Sequence, residues 1–270
     1  MPPALALAIT LLLAQAAFAQ QGGPSDTSAA QPDSPAANPG RPTVSTPAAL
    51  TPPGYLQFET GMLGAWTSPA VSSQTSLNEV VKFSLTRRLE LLAGFKPVAR
   101  SREGGFSSND PGGISLGAQA VIFPGEGTRP TVSVSYFHSV YDGTSPDLDI
   151  GSSANSVLLL ASTDVKGFHY DANLFLNEVV SVPIRRAQVG QSLSVSHPLN
   201  ARFGLSGEIW HFTQPFLRGN AVGNLWAVNY NANRVLVFDA GFDHGLTSTS
   251  TRWEVFTGFT YLLPHKIFRR

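Results

Sequence analysis

This 270-residue chain balances 18 Lys+Arg against 18 Asp+Glu, and that neutrality implies no polyanion partner and argues against nucleic acid. The absence of cysteine excludes disulfide frameworks and thiolate metal centres, and suits passage through an oxidising compartment. Charged residues amount to 13%, against about 25% in ordinary soluble domains, so much of the surface need not face water.

Residues 1–19 carry the marks of a secretory signal peptide. Ala4–Leu13 is a short apolar run, and Ala17-Phe18-Ala19 fits the small-x-small cleavage pattern, placing the cut near Ala19. Met1-Pro2-Pro3 departs from the usual basic start by bringing no Lys or Arg. The run is shorter than the ~20 apolar residues of a membrane-spanning helix, and no later stretch reaches that length. Residues 20–53 follow, rich in Pro, Ala, Ser, Gly and Asn. Such a composition buries too little apolar surface to offset the entropy of ordering, which predicts a disordered periplasmic tether.

From residue 54 to the end the dominant signal is a two-residue rhythm. It predicts strands near Tyr55–Trp66, Leu77–Leu85, Leu89–Pro97, Ile114–Phe123, Thr131–Val140 and Ser153–Val165. The rhythm continues in Phe168–Val179, Ala187–His197, Ala201–Phe212, Val222–Tyr230, Val235–Gly245 and Trp253–Leu262. In the eleventh of these, Leu236, Phe238, Ala240 and Phe242 share one face while Val237, Asp239, Gly241 and Asp243 share the other. Strands whose two faces meet different media, most of them near the ~9–11 residues of a tilted membrane strand, predict an all-β transmembrane antiparallel barrel of about twelve strands.

The links are consistent with that topology. With both termini on one side, every second link is a turn: Thr86–Arg88, Pro124–Pro130, Lys166-Gly167, Pro198–Asn200 and Asn231–Asn233. The intervening links Arg100–Gly113, Tyr141–Ser152 and Thr213–Ala221 are longer, although Val180–Arg186 is short. Aromatic residues near strand ends (Tyr55, Trp66, Tyr136, Tyr141, Trp210, Tyr230, Trp253, Tyr261) suit interfacial girdles, with Tyr55 and Trp210 falling on the polar face.

Four segments carry a family resemblance: PGYLQFETG at Pro53–Gly61, LNEVVKFSLTRRLEL at Leu77–Leu91, GGISLG at Gly112–Gly117 and FTGFTYLL at Phe256–Leu263. They resemble the transporter-like outer-membrane proteins of the phenol-degradation meta-pathway family, over nearly all of the chain after Gly54. The resemblance implies a cell outer-membrane barrel that moves small solutes, hydrophobic or aromatic ones included. It implies outer-membrane lipids, small-molecule solutes and the outer-membrane assembly machinery as partners. The ending Phe268-Arg269-Arg270 departs from the terminal Phe of many barrels.

By alternation, Glu59, Lys82, Glu90, Lys96, His169, Asp171, Arg202, Glu208, Asp239, Asp243 and Glu254 point into the barrel. They read either as a charged lining that tunes selectivity or as a self-satisfied network, since an unpaired interior charge is costly. Lys82 and Glu90 straddle Thr86 on one face and are natural hairpin partners. No metal, cofactor or catalytic residue is expected. The histidines lack a repeating ligand spacing. Asp239 and Asp243 stand ~13 Å apart along a strand, beyond the ~5–9.5 Å of glycosidase pairs. Ser196-His197 and His138-Ser139 point to opposite faces and form no local dyad. The expected function is passive passage of small solutes. The alternatives are a closed structural barrel acting through its loops and a lipid-modifying barrel hydrolase.

Overall fold

The computed structural model describes residues 35–268 apart from 147, 151, 152 and 218. The expected signal peptide, and the tether as far as residue 34, lie outside the described residues. The strands are β1 (Leu56–Trp66), β2 (Ser73–Ser84), β3 (Leu89–Glu103), β4 (Phe106–Asp110), β5 (Ile114–Phe123), β6 (Thr131–Tyr141) and β7 (Ser153–Val165). They continue as β8 (Phe168–Ser181), β9 (Ile184–Pro198), β10 (Phe203–Thr213), β11 (Asn220–Asn231), β12 (Leu236–Gly245) and β13 (Trp253–Leu262). All pairings are antiparallel between neighbours, with β5 beside β3, β13 on β1 and β2 on β3. The wall therefore closes as a 12-stranded barrel, and the thirteenth strand, β4, pairs only with the far end of β3. Sequence alternation does not reveal β4, because Phe106-Ser-Ser-Asn-Asp110 has no apolar face to repeat.

Closure works because the wall strands have one face that needs an apolar medium. Leu174, Leu176, Trp226, Val228, Phe238 and Phe242 are exposed on the outside, while their sequence neighbours Asn173, Asn177, Ala227 and Asp239 are buried inside. Aromatic pairs sit near both rims, with Phe203 against Tyr230 at 5.0 Å and Phe242 against Trp253 at 6.2 Å between ring centroids. Glu79 departs from the apolar band. It lies across from Thr60, itself opposite Phe259, in the middle of the outer face.

The links on the side of residue 54 are short. In the β7–β8 turn Lys166 and Gly167 both have positive φ, 51° and 82°, as a tight twisted hairpin requires. On the opposite, loop side, Pro146 and Asp149 carry the β6–β7 link across the mouth. Gln74 on β2 donates to Pro146 O at 3.0 Å, while Gln188 on β9 and Gln214 donate to Asp149 O at 3.3 and 2.8 Å. In the ring of strands β2 and β9 are diametrically opposed. The link thus spans the full width of the barrel.

Candidate functional site

The second part of the expected tether is ordered, and this corrects the reading of 20–53 as disordered. Residues 37–53 leave the turn-side rim, rise to mid-height inside the barrel and return to the same rim. Ala37 N–H donates to Arg234 O in the β11–β12 turn at 2.8 Å, and Gly54 N–H donates to Ser84 O at the end of β2 at 2.7 Å. Composition is a poor guide here because the segment is not ordered by burying its own side chains. It is ordered because the wall supplies a partner for one backbone polar group after another.

Those partners are mostly inward side chains. The Gln57 amide accepts from Asn38 N–H at 2.8 Å and donates to Asn38 O at 2.7 Å, and Asn173 does the same for Thr46 at 2.6 and 3.0 Å. Glu59 accepts from Gly40 N–H at 2.9 Å. At the apex Glu208 accepts from Val44 N–H, Ser45 N–H and Ser45 Oγ at 2.7, 2.7 and 2.6 Å. Ser162 receives Ala48 N–H at 2.7 Å, and Gln119 and Ser133 donate to Ala48 O at 3.2 and 2.6 Å. Glu90 accepts from Thr51 N–H at 3.0 Å and from the Thr51 hydroxyl. Apolar contact helps where Ala48 and Val44 join the cluster of Leu158, Leu160, Phe175, Trp210 and Phe212.

Arg41 anchors the rising arm. Its guanidinium pairs with Asp239 at 3.1 Å and lies over the bare backbone of Gly61 and Gly258, which are register partners on β1 and β13. A Cβ on Gly61 would run into the guanidinium, and one on Gly258 would stand 2.9 Å from its Nε.

Of the expected inward residues, Glu59, Lys82, Glu90, Asp171, Glu208, Asp239 and Asp243 are all buried. His169 lies at the turn-side rim, its Nε2 3.2 Å from Asp171 and its Nδ1 2.8 Å from Asp164. Arg202 is a correction. It is exposed in the β9–β10 turn, one residue before β10 begins, and its N–H donates to Asn200 Oδ1 at 2.8 Å. The Lys82–Glu90 pairing is a second correction. Register sets Ser84, not Lys82, opposite Glu90, and Lys82 bonds Glu59 across the β1–β2 seam at 2.6 Å. Of the two adjacent Ser/His pairs, His197 Nδ1 meets Gly167 O at 2.9 Å and His138 Nδ1 meets Asn155 Oδ1 at 3.1 Å.

Two cavities flank the loop. One of about 190 Å³ lies towards the turn side, among Arg41, His169, Asp171, Ser194, Ser196 and Asn229. The other, about 180 Å³, lies between the apex at Val44 and the crossing link at Leu148–Ile150. Lys96, Asp243 and Glu254 reach it from the wall, beside Leu63, Trp210 and Phe212. Trp210 Nε1–H donates to Asp243 Oδ2 at 2.5 Å, and Asp243 Oδ1 is buried without a partner. Asp149 accepts from Thr251 N–H at 2.7 Å; burial outweighs that bond and pushes its carboxyl up to about 6. The sequence placed Asp243 and Glu254 inside but contained no sign that Asp149 would join them. Its loop carries no periodic signal.

No family model and no curated protein matches the chain. Among solved structures it is similar to an outer membrane channel from Pseudomonas putida F1, with TM-score 0.59 and 14% identity over 80% of this chain and 98% of that one. It is also similar to the NanC porin, with TM-score 0.53 and 10% identity over 76% of this chain and 98% of that one. At such identities the likeness is one of fold: a closed antiparallel barrel of the outer-membrane type.

Proposed function

We propose that this chain is an outer-membrane channel for small solutes whose lumen is narrowed by its own N-terminal loop. The observation that carries the reading is a closed barrel, apolar outside and polar inside, whose interior is occupied by a segment held through side-chain hydrogen bonds. An apolar outer band belongs in lipid, and strands are satisfied there only when the sheet has no open edge. The cavities on either side of the loop apex support a narrow path beside it rather than a solid core. The solutes are small, with hydrophobic and aromatic ones included, as in the phenol-degradation meta-pathway family that the sequence resembles. The inward residues Glu59, Lys82, Glu90, Lys96, His169, Asp171, Glu208, Asp239, Asp243 and Glu254 line the path or hold the loop within it. The signal peptide directs export, and the outer-membrane assembly machinery inserts the barrel.

The test is single-channel conductance of the refolded chain lacking residues 1–19, after a heat-modifiable gel shift shows that it is folded. Discrete conductance is expected, and deleting residues 35–53 should raise it several-fold. Equal conductance with and without the loop would remove the loop from the path. The crossing link and the loop together favour a second reading, a barrel closed to solutes whose loops act at the surface. A folded barrel silent in both forms would select it.

A further inference from the structure

The neutrality of the whole chain hides an uneven placement of charge. The turns close every second seam in the ring of strands, and each turn carries a cation. Arg87 and Arg88 lie between β2 and β3, Arg129 between β5 and β6, Lys166 between β7 and β8, Arg202 between β9 and β10, and Arg234 between β11 and β12. The remaining seam on that side, β13 against β1, has Lys266, whose Nζ lies 5.8 Å from the centre of the Tyr55 ring. Cations therefore stand at regular intervals around the whole turn-side rim. The acids beside them are Glu126 and Asp164, and Asp164 is taken by His169 at 2.8 Å. Among the described residues no ion pair engages Arg87, Arg88, Arg129, Lys166 or Arg202, and all five are exposed. The loop side is mixed instead. There Arg100 and Arg102 share the β3–β4 hairpin with Glu103 and Asp110, and Arg185 pairs with Glu178 at 2.8 Å.

The strands set the depth of this ring. Leu89, Phe168 and Phe203 each open a strand one or two residues beyond Arg88, Lys166 and Arg202, and each is exposed on the outer face. At ~3.3 Å per residue the cations stand within ~7 Å of the apolar band, where acyl chains give way to phosphate. A long basic side chain at that depth keeps its stem in the apolar layer and its charge among the headgroups. The geometry also selects the partner. A docked protein covers one flank of a barrel, and an anionic solute meets the mouth, where the N-terminal loop is bonded to the rim at Ala37 and Gly54. Only the surrounding lipid reaches every seam at once.

We infer that the turn-side rim is a docking ring for acidic phospholipids, its cations holding the headgroup phosphates of the leaflet on that side. This goes beyond the channel reading: it needs the barrel in its membrane but not an open lumen.

The test is native mass spectrometry of the refolded chain lacking residues 1–19, in detergent, titrated with phosphatidylglycerol or with phosphatidylcholine of identical acyl chains. Several phosphatidylglycerols per barrel are expected, bound about fivefold more tightly than phosphatidylcholine, and the preference should shrink as salt rises. Arg87→Gln, Arg88→Gln, Arg129→Gln, Lys166→Gln and Arg202→Gln combined should abolish the preference in a barrel that keeps its heat-modifiable shift. If that combination does not fold, Arg87→Gln with Arg88→Gln carries the same comparison and should lower the number of lipids retained. Arg100→Gln with Arg102→Gln, on the loop side, should change neither. Equal binding of the two lipids by the unaltered barrel would overturn the inference. So would a preference that survives the turn-side changes or is lost with Arg100 and Arg102. Inorganic phosphate displacing the lipid at equal concentration would assign the ring to free anions. A reversal potential that moves with the turn-side changes, while the lipid preference stays, would make it a funnel for anionic solutes. Acidic-lipid preference in a barrel that never conducts sinks the channel reading alone.

Discussion

Arg41 rests in a slot that exists because two positions have no side chain. Gly61→Val would fill it, displace the guanidinium and release the ion pair with Asp239. A hydrogen bond to a charged group contributes about 1.5–3 kcal/mol, so amides bound at the loop apex should exchange on the order of ten- to a hundredfold faster. Hydrogen exchange at Val44 and Ser45 reads this directly. Unchanged protection would mean that Glu208 holds the apex unaided. The slot was half legible in the sequence. Gly61 and Gly258 fall in two of the segments with a family resemblance, but nothing local tells that they face each other or what covers them. The interior carboxylates were legible through alternation, and their excess over interior lysines was the one available sign of a missing donor. The backbone N–H groups of residues 38–51 are much of that donor set. A backbone amide leaves no trace in composition, which is why the segment read as a tether.

Strands carry the fold's clearest signature, since membrane strands must alternate over their whole length. Ile114–Phe123, Ser153–Val165 and Trp253–Leu262 match the expected bounds, and the other wall strands differ from them at one or both ends. Register was less legible, as the Lys82–Glu90 expectation shows: shifting the turn centre by one residue replaces Lys82 with Ser84. Two substitutions test the outer face. Leu174→Arg places a charge on the exposed face of β8, at ~2–4 kcal/mol near the midplane, and should abolish assembly measured as heat-modifiable yield. Wild-type yield would overturn the face assignment. Glu79 is the natural counterpart, a carboxylate already on that face. Glu79→Leu should raise the urea midpoint, by less than the ~2–4 kcal/mol an arginine or lysine costs. A lowered midpoint would show that Glu79 has a partner outside the chain.

At the scale of the whole barrel, the β6–β7 link and the N-terminal loop restrict opposite halves of one lumen. The link should respond to acid through Asp149. Its carboxyl is raised on seating from 3.8 to about 6, so the seated form binds more protons than the released form between those values. Seating is firmest below the lower value, and that extra stability is lost as pH rises through the upper one. Bilayer recordings should therefore show longer closures as pH falls from 7 to 4, and Asp149→Asn should flatten the dependence. An identical pH dependence in the variant would assign the closures elsewhere. The path of the N-terminal loop has a consequence of another kind. Ala37 and Gly54 both meet the turn-side rim, so the loop is a hook and not a thread. Between those two points the chain enters and leaves by the same rim, so no strand pair has to part for this hook to be lifted out or set back. Closing the wall and filling it are therefore topologically independent, and the ring can be completed empty and occupied afterwards.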